Sequence, residues 1–229
     1  HPNIYRLDGP IDLSFLDKIC DFKESADLRE NRYKSGITPK YFQEDASVFD
    51  VIKKKDVLLH HPYESFEPVV RFIEEAARDK NVLAIKQTLY RVSPGSPIIA
   101  ALARAADSGK QVSVLVELKA RFDEENNIGW ARMLEKAGCH VIYGLVGLKT
   151  HCKITLVVRR EEDGIRRYVH LGTGNYNELT ARLYSDVGMF TCKEAYGADA
   201  TAVFNMLSGY SEPPVWNKLV IAPLWLKDR

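Results

Sequence analysis

A histidine and a lysine stand two residues apart at the start of residues 151–160, which read HCKITLVVRR. Alternate side chains of a β-strand point to the same face, so His151 and Lys153 would share one face. The other face is wholly apolar, would pack against a core, and consists of Cys152, Ile154, Leu156 and Val158. A histidine on a strand is most often a structural residue. The neighbouring ammonium group leaves open a second role, in which the pair acts on an anion.

The next predicted strand, residues 165–172, runs into the glycine-rich sequence HLGTGNYN. If the turn EEDG closes a hairpin, Lys153 lies opposite Gly172 and His151 lies opposite Gly174. His170 then shares the face of His151 but lies about 13 Å along the strands, where it is better placed to assist than to attack. The two glycines would let a ligand approach the backbone closely. Short polar side chains at the same edge come from Thr173, Asn175 and Asn177.

Basic side chains follow two neighbouring predicted strands, at the point where each strand ends. Arg91 follows the strand 81–90, and Lys119 and Arg121 follow the strand 111–118. A single charge at a strand end is usually solvated, but several like charges at one edge repel each other unless an anion joins them. Arginine, lysine and histidine together suit phosphate and would stabilise a phosphoryl-transfer transition state.

The imidazole of His151 can itself attack phosphorus if it is neutral, which would give a phosphohistidine. Lys153 favours that neutral form, because a like charge nearby lowers the pKa of an imidazole. From spacing alone, the sequence therefore predicts an anion site with a nucleophilic histidine.

The elements that must position these residues follow from periodicity. Strands are predicted at 81–90, 111–118, 139–144, 151–160, 165–172 and 186–192, and helices at 65–78, 96–110, 123–138 and 194–208. The order β-α-β-α-β followed by a hairpin predicts an α/β fold, with a mixed sheet and helices on both faces. His60 and His61 precede Pro62 and are expected at the entry of the first of these helices, in a structural role.

The composition is that of a soluble globular protein: the 229 residues are 45% hydrophobic and 28% charged. No apolar run approaches the roughly 18 residues of a membrane span, so we expect a cytoplasmic protein and leave peripheral membrane association open. The four cysteines form no CxxC pair, and three lie in apolar runs, which predicts buried free thiols. The net charge of +1 predicts no bulk attraction to nucleic acid.

Two motifs resemble known families. The HxK pair with its glycine-asparagine turn resembles the phospholipase D superfamily motif HxKxxxxD with GSxN, although Val158 stands at the aspartate position and the hairpin is longer. Four longer strings resemble the polyphosphate kinase 1 family, which uses a variant of that fold: KQTLYR, VELKARFDEENNIGWA, GLVGLKTHCK and HLGTGNYNELTARLY. The fold expected from this resemblance is a phospholipase D-like mixed sheet.

The resemblance implies a reversible transfer of the γ-phosphate of ATP to inorganic polyphosphate through a phosphohistidine, with Mg²⁺ as cofactor. His151 matches the phosphorylated histidine, and His170 matches a second histidine near the site. Arg91 and Arg121 match arginines at a magnesium–phosphate site, and Tyr184 matches a tyrosine that contacts adenine.

Four further residues are candidates for the same site. Lys119 and Asn175 are assigned to phosphate binding, and Asn177 is a weaker candidate. Asp186 is a candidate to hydrogen-bond an active-site histidine in place of the missing motif aspartate, although an aspartate at the start of a strand is common.

The resemblance also implies a division of the chain. Residues 1–46 would be the tail of a preceding head domain and a linker, 47–212 the first of two phospholipase D-like domains, and 213–229 the lead into the second. ATP, ADP and polyphosphate, the other domains of a longer chain, and a homo-oligomer are the expected partners, and the isolated fragment is expected to turn over little. Two alternatives stay open: a phosphodiesterase or nuclease, and a non-catalytic module that binds polyanions.

Overall fold

A mixed sheet organises residues 35–229, which form the larger of two compact units; the smaller is 1–34. The computed structural model describes residues 2–29, 36–43, 46–119, 124–145, 147–209, 211 and 215–228. Within these ranges the strands are β1 Val57–His61, β2 Val82–Leu89, β3 Gln111–Val116, β4 His140–Ile142, β5 Lys153–Glu161, β6 Gly164–Gly172 and β7 Asp186–Thr191. They form one sheet in the order β1-β7-β6-β5-β2-β3-β4. Strands β2, β3 and β4 are parallel, and the other neighbours are antiparallel.

Helices cover both faces of this sheet. The described α-helices are α1 Leu16–Ile19, α2 Lys40–Gln43, α3 Val48–Lys54, α4 Glu67–Arg78, α5 Pro97–Asp107, α6 Glu124–Lys136 and α7 Glu194–Gly209. Helices α3 to α6 share one apolar cluster with Val157 and Tyr168 of the sheet. Helix α7 shares the other cluster with Ile154, Leu156 and Val169, which alternate with the first pair and so point to the opposite face. The predicted fold class is therefore confirmed.

The hairpin forms in the predicted register. Lys153 pairs with Gly172, Thr155 pairs with His170, and Glu161 pairs with Gly164 across a two-residue turn. Gly164 has a φ of 128°, which glycine adopts without strain. The expected pairing of His151 with Gly174 lies beyond the end of the ladder, since β5 begins at Lys153. Both faces of β5 are buried over its first five residues, the face that carries Lys153 included.

Two expectations were wrong. His60 and His61 are not at a helix entry; they end β1, an edge strand paired with β7, with His60 exposed and His61 buried. The free thiols are confirmed, but only Cys139 is fully buried. Cys152 is exposed because it precedes the first ladder residue of β5.

The smaller unit contains α1 and a 3₁₀ helix, Lys23–Leu28, and neither element has a buried side chain. Its hydrogen bonds are local, such as the one from the Arg29 guanidinium to the Phe22 carbonyl at 2.9 Å. Among the described residues of the whole chain, no helix is long and apolar enough to cross a membrane.

Candidate functional site

The sheet brings the predicted basic residues to one edge. Because β2 and β5 are antiparallel neighbours, the residues that follow β2 lie beside those that precede β5. The Thr88 hydroxyl locks the two strands here: it donates to the Cys152 carbonyl at 2.8 Å and accepts from the Ile154 N–H at 3.1 Å. Arg91 and His151 thus reach the same edge, although the sequence separates them widely.

The ring of Tyr90 lies at the centre of this edge. Three cationic groups lie over it: Arg91 at 5.6 Å, Lys149 at 5.1 Å and Lys153 at 5.5 Å from the ring centroid. The imidazole of His151 packs against the same ring in a T-shaped contact, with centroids 5.0 Å apart. An aromatic face attracts cations, so Tyr90 offsets part of the repulsion among them. Neither Tyr90 nor Lys149 was among the residues predicted for the site from the sequence.

Lys153 holds the imidazole of His151 directly. Its Nζ lies 3.0 Å from both ring nitrogens and donates to the His151 carbonyl at 2.7 Å. An atom equidistant from both nitrogens at this range lies over the ring face, so it does not block the in-plane lone pair of the neutral imidazole. The Lys153 side chain is itself only 6% exposed.

These contacts depress the pKa of His151. The largest cause is its partial burial, followed by the charges of Lys153, Lys149 and Arg91. The direction matches the prediction from the HxK spacing, although burial contributes more than the neighbouring lysine. Burial also lowers the pKa of Lys153. The imidazole is therefore biased towards the neutral form in which it can act as a nucleophile.

A buried carboxylate fastens the loop that carries His151. Glu117 is 3% exposed, and its carboxylate accepts the backbone N–H of Lys119 at 2.8 Å and of Thr150 at 2.7 Å. The buried Asn127 amide donates to the carbonyls of Tyr90 at 2.8 Å and Glu117 at 2.9 Å. These side chains tie the ends of β2 and β3 to the loop before β5. A lone glutamate inside the apolar run VLVEL is the sequence signal that points to Glu117.

Small-molecule sites are typically cavities of about 300–1,000 Å³, and one of about 580 Å³ opens beside His151. Lys149, His151 and Lys153 line one side of it. The apolar side is formed by α7 and by residues 219–224. Asp199 of α7 anchors this segment, since its carboxylate accepts the N–H groups of residues 217, 218 and 219 at 2.6–3.1 Å.

His170 occupies a different environment. It is only 3% exposed, and its Nδ1 lies 2.9 Å from the hydroxyl of Tyr176. Burial, and then the nearby His61, lowers the pKa of His170 to about 3. The imidazole lies beneath the glycine-rich turn, because a Cβ added at Gly172 would come within 3.4 Å of its Cε1.

The polar residues of the turn divide between two roles. The Asn177 side-chain carbonyl accepts the N–H groups of Leu179 at 3.0 Å and Thr180 at 3.1 Å, which holds the chain as it enters a 3₁₀ helix, Thr180–Arg182. Asn175 instead lines a small cavity with His170 and Asp186. The Asn177 side chain therefore stabilises the turn, whereas Asn175 lines the small cavity.

The remaining predicted residues lie around this edge. Tyr184 is 63% exposed and is not among the residues that line the cavity beside His151. The carboxylate of Asp186 accepts the Thr173 hydroxyl at 2.8 Å and, among the described residues, no hydrogen bond from a histidine. Lys119 is exposed at the end of β3. Arg121 lies outside the described residues.

The side chains described around His151 fit phosphate better than a metal. Lys149, Lys153 and Arg91 are donors without a lone pair to give, whereas Mg²⁺ takes oxygen ligands. No group of three or more His, Cys, Asp or Glu side chains among the described residues is arranged to hold a metal ion.

The family model described as polyphosphate kinase C-terminal domain 1 matches residues 47–213. Similar curated proteins include the polyphosphate kinases of Lactiplantibacillus plantarum, 57% identical over 98% of this chain, and Halalkalibacterium halodurans, 58% identical over 100% of it. These alignments cover 31% and 33% of the two relatives, so the chain spans about a third of their length.

Solved structures give the same result. The crystal structure of polyphosphate kinase from Porphyromonas gingivalis matches 90% of this chain, which covers 34% of that one, with 37% identity and a TM-score of 0.75. Nuc from Salmonella typhimurium, a phospholipase D family member, matches 67% of this chain and 91% of its own, with 14% identity and a TM-score of 0.51. The second likeness shows the fold alone, which is the predicted phospholipase D-like sheet.

Proposed function

Because the chain belongs to the polyphosphate kinase family, we propose that it carries the phosphorylated histidine of an ATP:polyphosphate phosphotransferase, and that this residue is His151. One observation supports the assignment above the others. The His151 imidazole is accessible, biased towards the neutral form, and surrounded by Lys149, Lys153 and Arg91 at the mouth of a cavity. A nucleophile and the cations that stabilise phosphoryl charge are therefore already together.

The proposed transfer has two steps. The lone pair of a His151 ring nitrogen attacks the γ-phosphorus of ATP, the bond from that phosphorus to the β,γ-bridging oxygen breaks, and ADP leaves with the electron pair. A terminal oxygen of polyphosphate then attacks the phosphohistidine, the N–P bond breaks, and the imidazole is restored. Lys153 and Lys149 stabilise the charge on the transferring group in both steps, and either step can run in reverse.

The other predicted residues take substrate roles in this proposal. Lys119 and Asn175 bind phosphate groups at the same edge, and the exposed ring of Tyr184 is available to stack on adenine. The resemblance also implies Mg²⁺, but arginine has no lone pair for a metal. We therefore assign Arg91 and Arg121 to the phosphate oxygens and not to the ion.

A phosphodiesterase activity is the competing proposal, and one position weighs against it. The phospholipase D motif has an aspartate where this chain has Val158, a half-buried strand residue paired with Ala84 and Arg167. No carboxylate stands at that position to serve the histidine. Because the chain spans about a third of its relatives, we also propose that a further domain of a longer chain completes the ATP site.

The experiment uses the full-length protein that contains this chain, with ATP radiolabelled on its γ-phosphate. His151→Ala is expected to abolish both the acid-labile protein label and polymer synthesis. His60→Ala, which removes an exposed histidine of β1, is the matched control and should retain both. Acid-labile label that persists in His151→Ala would refute the assignment, and phosphodiester cleavage without polymer synthesis would favour the competing activity.

A further inference from the structure

A second, much smaller cavity lies beneath the glycine-rich turn, and some of the polar atoms that line it have no hydrogen-bond partner in the described part of the chain. Its volume is about 10 Å³, and His61, His170, Asn175, Asp186 and Gly188 are among the residues that line it. His61 Nε2, His170 Nε2 and the Asn175 side-chain oxygen are buried and make no hydrogen bond to the described residues. His61 is 4% exposed and His170 3%, so bulk water does not compensate them.

The hydrogen-bonding role of each nitrogen follows from the opposite side of its ring. His61 Nδ1 lies 2.9 Å from the carbonyl oxygen of Glu64, which can only accept, so Nδ1 carries the proton and Nε2 is an acceptor. His170 Nδ1 lies 2.9 Å from the Tyr176 hydroxyl, which reaches no closer acceptor. We assign the hydroxyl proton to the shorter of its two contacts, the one with Nδ1 and not the one with the His170 carbonyl at 3.4 Å, and on this assignment Nε2 of His170 is an N–H donor.

Both Nε2 atoms face one point in space. A Cβ added at Gly188 would lie 2.8 Å from His170 Nε2 and 3.6 Å from His61 Nε2. The cavity thus presents one donor, from His170, and two acceptors without a partner among the described residues, from His61 and Asn175; the Asp186 carboxylate, which also lines it, already accepts the Thr173 hydroxyl. A water molecule accepts and donates in this complementary pattern, and about 10–15 Å³ is the space that one water requires.

We propose that a single water molecule binds between His61 and His170, accepting from His170 Nε2–H and donating to His61 Nε2 and to the Asn175 side-chain oxygen. The water connects β1 and β6 to the turn that faces the proposed catalytic edge. It also fixes His170 as a neutral imidazole whose two nitrogens are both occupied. His170 and His61 are then positioning residues that support Gly172 and Asn175 from below.

The structural test is a high-resolution crystal structure of the protein together with nitrogen NMR of its histidines. We expect a water peak within about 3.2 Å of both Nε2 atoms, a proton on Nδ1 of His61, and a proton on Nε2 of His170. A direct bond between the two rings, an unoccupied cavity, or a proton on Nδ1 of His170 would each overturn the proposal.

A pair of glycine variants tests the site by filling it. Gly188→Ala places a methyl group 2.8 Å from His170 Nε2, so the water peak should disappear and the His170 nitrogen resonances should shift. Gly129→Ala is the matched control, since nothing lies within 4 Å of the added methyl group. If Gly188→Ala fails to fold, His61→Leu removes one acceptor and should give the same loss; unchanged His170 resonances in the variant that folds would refute the water site.

A test by activity depends on the proposed function, and its result is independent of the crystallographic and NMR tests of the water. In the full-length protein, His61→Leu should lower kcat for polymer synthesis and leave the KM for ATP within a factor of about two, because the turn is displaced while the cations of the edge remain. His60→Leu on the exposed side of β1 should change neither. A raised KM with an unchanged kcat in His61→Leu would contradict the positioning role, even if the water is present in the crystal structure. Absence of polymer synthesis by the wild-type protein would instead count against the proposed function.

Discussion

Replacing Tyr90 tests whether an aromatic face organises the cations around His151. Lys149, Lys153 and Arg91 lie 5.1–5.6 Å from its ring centroid. A cation–π contact contributes about 0.5–1 kcal/mol at an exposed site and about 2 kcal/mol when the cation is desolvated. Lys153 is largely buried and falls in the second class, so the three contacts together contribute about 3–4 kcal/mol.

Only part of this energy bears on the reaction, because cations released from the ring regain water. We expect Tyr90→Leu to lower kcat/KM for polymer synthesis by about tenfold to a hundredfold, which corresponds to about 1.4–2.7 kcal/mol. Tyr90→Phe keeps the aromatic face and should stay within about threefold of the wild type. Both variants keep the Tyr90 carbonyl that accepts the Asn127 amide, so the strand end is preserved.

The assay is the initial rate of polymer synthesis by the full-length protein, with thermal unfolding measured in parallel. The proposed role of the Tyr90 ring face fails if Tyr90→Leu retains a rate within about threefold of the wild type. It also fails if Tyr90→Phe loses as much as Tyr90→Leu, because the hydroxyl and not the ring face would then be responsible. A large fall in the melting temperature of Tyr90→Leu alone would show that the loss of rate is one of folding.

Three other substitutions have defined outcomes. Each oxygen of the Glu117 carboxylate accepts one backbone N–H, and Glu117→Gln replaces one of these oxygens with an NH₂ group that cannot accept. The substitution should therefore release the loop before His151 and lower kcat more than it lowers the melting temperature. Lys153→Met removes a like charge and should raise the pKa of His151 in an NMR titration; an unchanged pKa would show that burial, Lys149 and Arg91 lower it without a contribution from Lys153. Burial opposes ionisation of Asp199, but the backbone N–H groups that it accepts outweigh this and lower its pKa. Asp199 therefore contributes its whole stabilisation above the pKa of about 3.9 that it has in the unfolded chain, and this is lost as the pH falls through its lower pKa in the folded protein. Asp199→Asn should make the free energy of unfolding depend less on pH in this acid range.

Alternation and turn chemistry were sufficient to predict the part of the fold that presents His151. The hairpin register followed from the turn EEDG, and the structure pairs Lys153 with Gly172 as expected. Strand β1 was missed because its five residues are followed by Pro62, and a proline is also common at the start of a helix. Its pairing with β7 depends on residues more than a hundred positions away, and local pattern does not contain that information.

The same distinction between local sequence signals and long-range contacts applies to the residues of the site. Arg91 and His151 were predicted because basic residues at strand ends and the HxK spacing are local signals. The contacts that hold them are not local: Glu117 reaches Thr150, and Asn127 reaches Tyr90, across loops whose approach exists only in the folded chain. Spacing alone predicted an anion site with a nucleophilic histidine, and the family resemblance supplied the proposed reaction.

Burial explains why two histidines of one hairpin face should serve different purposes. Both imidazoles have a lowered pKa and favour the neutral form, so protonation state does not distinguish them. His170 is sealed beneath Gly172 with Tyr176 on one nitrogen, and no phosphate can approach the other. His151 precedes the ladder, is exposed, and has the ammonium of Lys153 over its ring face with its in-plane lone pair open. Access and surrounding charge, and not basicity, are therefore the properties that favour His151 over His170 as the proposed nucleophile.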